Sequence, residues 1–585
     1  MTDHRSSLAH HLSFPESVPN VGVRSPVAIV WLLAVAILLV AATARAASPL
    51  VVSHADAFVS HDSATDVWTL GNNTITARFE LGADHQLTLT QLLNPRTGRL
   101  WDITPGADTM IGLNGRSVPL AGGPTGLSFV GATAGRLRGG VHVAFTYRHN
   151  VLHARIVRHY ACYPGSPTIE TWTRLDVAER ADPVTVSNLT GWQLTVPLGA
   201  VRWINGLRGD ARDVPDEAFS LGHKHLGPDE LLTLFAHRRS SEQFVPFVMI
   251  DGPTGGEWYG GVQWSGAWQI ECLRQGSRLQ VTLSYPEVTT TVSEGHPLEI
   301  PHSFFGVTPG GPTDVGITLR GFIHTAIRQG RPLLPLVTYN TWYAYGTRVD
   351  EATIMNEIDR TAPLGFELFV LDAGWYQGAG VDGPFDFESG LGNWTVDPDR
   401  FPNGLQPLVE FAHASGMKFG LWVEPGRVSL ETVDQLGLAQ DAWLATHDGR
   451  QVSATAGQIC FASAAARQWV FDQLTRLIDS VRPDYLKWDN NMWLNCNRDG
   501  HDHGPDDGNL AQVQGLYTVL QALRDRYPNL LIENVSDGGS RIDFGWLRYS
   551  DATWMDDRTQ PSAHVRHNLE GLSTVFPPAY LLSRS

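Results

Sequence analysis

Residues 465–489 read AARQWVFDQLTRLIDSVRPDYLKWD. Up to Val481 the apolar residues recur at helical spacing, and DYLKWD then forms a short apolar run of strand length. The same pairing recurs along the second half of the chain. LVTYNTW (Leu336–Trp342) is followed by the amphipathic VDEATIMNEIDRTAPLG and then by FELFVLDAGW (Phe366–Trp375). NGLQPLVEFAHASG precedes KFGLWVEP, and NLAQVQGLYTVLQALRDRY precedes LLIENVSDGG. Repeated βα units imply a parallel sheet. A doubly wound sheet would satisfy the alternation as well, but the strand tips decide for a barrel. They carry Trp342, Asp372, Trp422 with Glu424, Asp489, Asn534 and Asp557. A (β/α)8 barrel builds its site from the C-terminal ends of several strands at once.

Upstream the texture differs. From about Ser48 to Gln329, short alternating runs such as TITARFEL, HQLTLTQLL, VHVAFTYRH and RLQVTLSYP are separated by Gly, Pro, Asn and Asp clusters. This pattern predicts a β-sandwich, with the first helix near Gly316–Arg328. The expected architecture is multidomain β plus α/β. A supersandwich-like domain spans 48–330, and a TIM-type barrel spans 335–585. After Phe576-Pro577-Pro578 little chain is left for a last βα unit, so the barrel is expected to be incomplete at its C-terminal end.

The chain has 585 residues, a net charge of −17 and 42% hydrophobic residues. That acidity excludes a nucleic-acid binder, which needs a basic face, and disfavours anionic lipid. Val27–Ala42 is uncharged and apolar, and Ala44-Arg45-Ala46 follows it. Residues 1–46 therefore read as an export signal for an extracellular or periplasmic protein. An uncleaved membrane anchor is the alternative. Of the four cysteines, Cys162, Cys272, Cys460 and Cys496, none lies in a CxxC pair. They read as buried free thiols or at most one disulfide. The stretch Asp499–Asp507 has the composition of a metal site but not EF-hand spacing, and reads as a solvated loop. No glycine-rich phosphate loop occurs. Neither a metal nor another cofactor is expected, and the sequence leaves a homo-oligomer open.

Lys487-Trp488-Asp489 closes one strand, and Trp554-Met555-Asp556-Asp557 closes another two βα units later. Two carboxylates at one barrel mouth are the minimum set for glycoside hydrolysis, one attacking and one protonating. Trp342, Trp375, Trp422, Trp488 and Trp554 could wall a sugar, though aromatic residues near strand ends are more often core.

The barrel half resembles glycoside hydrolase family 36, the bacterial α-galactosidases related to raffinose synthases, within the melibiase superfamily. YNTWYA, FELFVLDAGW, LGNW, FPNGLQPL, GMKFGLWVEP, DYLKWDNN, ENVSDGGSRID and FPPA follow in the family's order, with RRSSEQFVPF and YGGVQWSGAWQIE in the β-rich half. The resemblance implies a carbohydrate substrate and a double displacement. Asp489 matches the nucleophile. Asp557 matches the acid/base in the family's W-x-S-D-N-T, by its spacing from Trp554, with Asp556 as rival. Asp372 and Lys487 match residues that hold sugar hydroxyls. Trp342 and Trp422 match subsite walls, and Gly538 a glycine facing the 2-hydroxyl. Lys487 beside Asp489 would favour its charged form, and Asp557 would need a raised pKa. Three positions depart from the family: Ala373 replaces a second aspartate, Val535 a cysteine and Ala456 an arginine. Losing polar groups there relaxes demands at C2 or C6. An α-N-acetylgalactosaminide or a β-L-arabinopyranoside then also fits, as do transglycosylation and a non-catalytic sugar binder.

Overall fold

The computed structural model describes residues 49–583, apart from 209–217, 254 and 287. The proposed export signal or anchor over 1–46 lies outside the described residues. Among the described residues, no helix is long and apolar enough to cross a membrane.

The first half consists of antiparallel sheets. In Gly140–His149 the alternate residues Val141, Val143, Phe145 and Tyr147 are fully buried, as strand geometry dictates for a one-sided apolar run. This strand pairs with Leu127–Leu137 on one side and Ala154–Cys162 on the other. Their sheet continues through Thr168–Val177 and Ser303–Thr308 to Glu257–Val262 and Phe247–Asp251. A six-stranded meander from Leu50–His54 to Arg99–Trp101 packs against it through Phe79, Leu92, Phe145 and Tyr160. Helix α1 (Pro312–Phe322) begins a few residues earlier than the sequence suggested. Pro312 occupies the first turn, where its missing N–H costs nothing.

The second half is one parallel sheet whose strands lie in sequence order: β1 (Thr338–Asn340), β2 (Leu368–Leu371), β3 (Lys418–Val423), β4 (Tyr485–Trp488), β5 (Leu531–Asn534), β6 (Ala552–Trp554) and β7 (Leu581–Leu582). The connecting helices include α2 (Glu351–Thr361), α3 (Gln406–Ala414), α4 (Ala464–Val481), α5 (Gly508–Arg526) and α6 (Ser562–Ser573). Helix α4 is the one read from residues 465–481. Ser463 caps it by accepting from the Ala466 amide, and Val470, Leu474, Leu477, Ile478 and Val481 form its buried stripe. The described residues supply seven barrel strands, with β1 and β7 at the ends of the sheet. The architecture is a β-rich half followed by an incomplete TIM-type barrel.

The halves share a core. Val315, Leu319 and Phe322 of α1 cluster with Phe247 and Phe304 of the β-rich half and with Phe544, Phe576 and Tyr580 of the barrel. The Arg328 guanidinium is buried after α1. It donates to Asp551 (2.9 Å) and to the carbonyls of Leu547 (3.2 Å) and Pro332 (2.9 Å).

Candidate active site

Asp489 follows β4 directly, so the strand's end carries its side chain into the barrel mouth. Its carboxylate accepts from the Asn490 amide (2.8 Å), Asn491 Nδ2 (3.0 Å) and Trp422 Nε1 (3.1 Å). Trp422 sits on β3, whose register sets Trp422 opposite Lys487 and Val423 opposite Trp488. Three donors on one carboxylate fix its orientation.

Lys487 acts on Asp489 through charge, while its hydrogen bond goes to another carboxylate. Its Nζ lies 2.6 Å from Asp372 Oδ2, which also accepts from Asn340 Nδ2 at 2.7 Å. The other Asp372 oxygen accepts from the Ala373 amide (2.9 Å). Burial alone would depress the ammonium. Asp372, Glu533 and Asp489 outweigh it and hold Lys487 charged well above its ordinary range. Burial pushes Glu533 up to about 7, against the opposing pull of Lys487 and of the Tyr485 hydroxyl that donates to it at 2.8 Å. Sequence reasoning missed Glu533 because it sits inside an apolar strand.

The two adjacent aspartates separate cleanly. Asp556 is buried and accepts from His564 Nε2 (2.5 Å), Asn568 Nδ2 (2.9 Å) and the Arg558 amide (2.8 Å), which ties β6 to α6. Asp557 turns the other way. Its side chain opens to solvent at the mouth, and Trp554 Nε1 donates to it at 2.8 Å. Protein crowds its remaining sides. That desolvation, and next the Asp489 carboxylate, push Asp557 up to about 7, while Lys487 pulls the other way. Gly538 stands over this turn at φ +71, and a Cβ there would sit 3.0 Å from the Asp557 amide nitrogen. A side chain would strain the backbone and press on the Asp557 amide.

The tryptophans divide. Trp422 bonds Asp489, and Trp554 bonds Asp557. Trp342 is partly exposed and packs edge-on against Phe385 and Phe387. Trp375 and Trp488 are core instead. Trp375 is buried with its Nε1 on the Trp422 carbonyl (3.0 Å), and Trp488 packs against Trp546. Both are fully buried, as the commoner reading of aromatic residues near strand ends expects.

The three stripped positions are all buried. Arg427 lies on the strand paired with that of Ala456, and its buried guanidinium joins Glu424 (3.1 Å) and Glu388. The β-rich half also enters the site, through the segment quoted only for its resemblance. Arg239 donates to the Asn490 carbonyl (3.1 Å), and Ser241 Oγ donates to the Gly539 carbonyl (2.7 Å) while accepting from the Ile542 amide (2.7 Å). No single motif could announce a pairing between residues 241 and 542.

Residues 320–583 match the Melibiase family model. The chain is 33% identical over 353 residues to α-galactosidase 2 of Pediococcus pentosaceus, which covers 58% of this chain and 47% of that protein. The chain spans about half the length of these curated relatives. The GH36 α-galactosidase AgaB of Geobacillus stearothermophilus superposes with a TM-score of 0.76 at 20% identity, over 89% of this chain and 78% of that one. A variant of AgaA from the same organism, solved with raffinose, superposes with a TM-score of 0.73 at 19% identity, over 88% and 78%. At those identities the superpositions establish the shared fold.

Proposed function

We propose, from the premise that residues 320–583 belong to the melibiase family, that this chain is a retaining glycoside hydrolase acting on α-galactoside-like substrates. One observation carries the reading. Two aspartates at one barrel mouth have opposite surroundings: Asp489 is held by three donors and Asp557 is pushed up to about 7. That division is what double displacement requires.

Asp489 attacks the anomeric carbon while protonated Asp557 gives its proton to the departing glycosidic oxygen. The bond to the aglycone breaks as the bond to Asp489 Oδ forms. Asp557, now charged, takes a proton from water. That water attacks the same carbon and releases Asp489, so two inversions give net retention. The Lys487–Asp372 pair binds ring hydroxyls, and Trp342 and Trp422 offer apolar ring contacts. Export through residues 1–46 is part of this reading, since oligosaccharide substrates are then met outside the cell.

Retention is tested by following an aryl α-galactoside by proton NMR. The first sugar released should be the α-anomer, and the β-anomer appearing first would overturn the mechanism. Raffinose is the natural oligosaccharide to offer next, being the ligand in the AgaA relative. A second reading rests on Ala373, Val535 and Ala456. Fewer polar groups there favour substrates altered at C2 or C6, so α-N-acetylgalactosaminide and β-L-arabinopyranoside belong in the same assay. An acceptor sugar in the mixture separates hydrolysis from transglycosylation by the products formed.

A further inference from the structure

Four side chains that the proposed reaction does not use converge below the mouth. Cys460 comes from the segment preceding α4. Cys496, His501 and His503 come from the loop between β4 and α5. The candidate ligand atoms of all four lie within 4.8 Å of one another. A tetrahedral ion with bonds of about 2.0–2.3 Å to nitrogen and sulfur sets its ligands roughly 3.3–3.8 Å apart. Cys496 Sγ and His501 Nδ1 are already 3.5 Å apart, and the rest need a contraction of at most about 1 Å.

The outer ring of bonds points the same way. His501 Nε2 lies 2.5 Å from the Ala442 carbonyl, which fixes the proton there and leaves Nδ1 a free lone pair facing Cys496. His503 Nδ1 lies 2.6 Å from the Gly504 carbonyl and 3.9 Å from Asp507 Oδ1, which leaves Nε2 as the lone-pair nitrogen. That Nε2 is buried with no hydrogen-bond partner. The residue's backbone is partly exposed, but its imidazole is at 0% exposure. A buried lone pair without a donor is costly. A histidine whose second nitrogen is pinned to a carbonyl or carboxylate is how proteins orient a metal ligand. Both thiols are free and buried. Helix α5 closes on the cluster because residue 508 is glycine: a Cβ there would fall 1.8 Å from the Cys496 carbonyl oxygen.

We propose that Cys460, Cys496, His501 and His503 bind one zinc ion in a closed, structural site. Two thiolates and two imidazoles in a tetrahedron select zinc over hard cations, and four protein ligands leave no open position for catalysis. The ion clamps the loop from Asp489 to Asp507. That loop begins with Asn491, which bonds both Asp489 and Glu424, and passes through Asn495, which donates to the His237 carbonyl of the β-rich half at 3.0 Å. The acidic stretch read as a solvated loop is thus anchored by its two histidines.

The test uses the full chain, expressed with zinc supplied and purified without chelator. Mass spectrometry of the metal should find about one zinc per chain. Cobalt(II) exchanged for it should give thiolate charge-transfer and tetrahedral d–d bands. Cys496→Ser and His503→Ala should each lose the metal and the bands, and His413→Ala, an exposed imidazole elsewhere on the barrel, should keep both. Stripping the ion from wild type should lower Tm by about 10 °C, restored by zinc. A folded wild-type chain with no bound metal overturns the proposal. So does a Cys460–Cys496 disulfide found by non-reducing peptide mapping.

Discussion

The turn after β4 and the turn after β6 each present an aspartate to the same space, and they treat it oppositely. Asp489 is surrounded by donors: two side-chain N–H groups and a backbone amide. Asp557 has one indole donor, and faces Asp489 itself. The difference teaches that the residue type does not set the role. The first environment pins an aspartate with donors, and the second favours a carboxylic acid. Asp556, one position away, has as many donors as Asp489, and two of the three come from α6.

The largest effect that can break this contrast is loss of the attacking group. Asp489→Ala should lower kcat on aryl α-galactosides on the order of 10^5-fold or more, as removal of a covalent nucleophile does. Azide should restore turnover to this variant as a β-glycosyl azide, which separates lost chemistry from lost folding. Asp557→Ala should cost about 10^2- to 10^4-fold on substrates with poor leaving groups and far less on activated aryl glycosides. An equal loss on both kinds would remove Asp557 from the acid role. Trp422→Phe keeps the ring and deletes one donor to a charged acceptor, worth about 1.5–3 kcal/mol. A fall in kcat/KM of about 10- to 150-fold is expected from it.

Smaller changes sharpen the contrast. Asp556→Asn should stay within about tenfold of wild type while lowering Tm, because it weakens the tie to His564 and Asn568. A loss matching that of Asp557→Ala would exchange the two assignments. The pH profile gives the finest test. In the proposed role of acid, Asp557 works only while protonated, so with its pKa at about 7 activity should fall as pH rises through about 7. Asp537 is one of the charges that raise it. Asp537→Asn should move the alkaline limb to lower pH by less than one unit, and a shift upward would contradict the electrostatics described here.

The sequence made the barrel legible because helix and strand periodicities alternate cleanly from Leu336 onward. It singled out Asp489 and Asp557 because both close apolar runs. Strand alternation sets Trp488 on the face opposite Lys487 and Asp489, and the register of β3 sets Trp422 opposite Lys487, a pairing that only the fold supplies. Spacing left Asp556 as a rival, and its partners on the next helix, a histidine and an asparagine, are likewise visible only in the fold. The Cys460–Cys496–His501–His503 cluster was hidden more deeply. Its members span two loops, and the histidines lie in a stretch whose acidity suggests water.

Ser240 and Ser241 are fully buried, and with Ser265 they hydrogen-bond the barrel segment 539–543 from the β-rich half. Part of the roof over the β5 turn is therefore written in a different stretch of the gene from its walls. The two halves are not interchangeable cassettes. A chimera joining this barrel to a relative's β-rich half would inherit Asp489 and Asp557 and still have to re-match that seam. Directed recombination in this family should therefore cut within loops far from residues 238–247, keeping that segment and 533–543 from one parent.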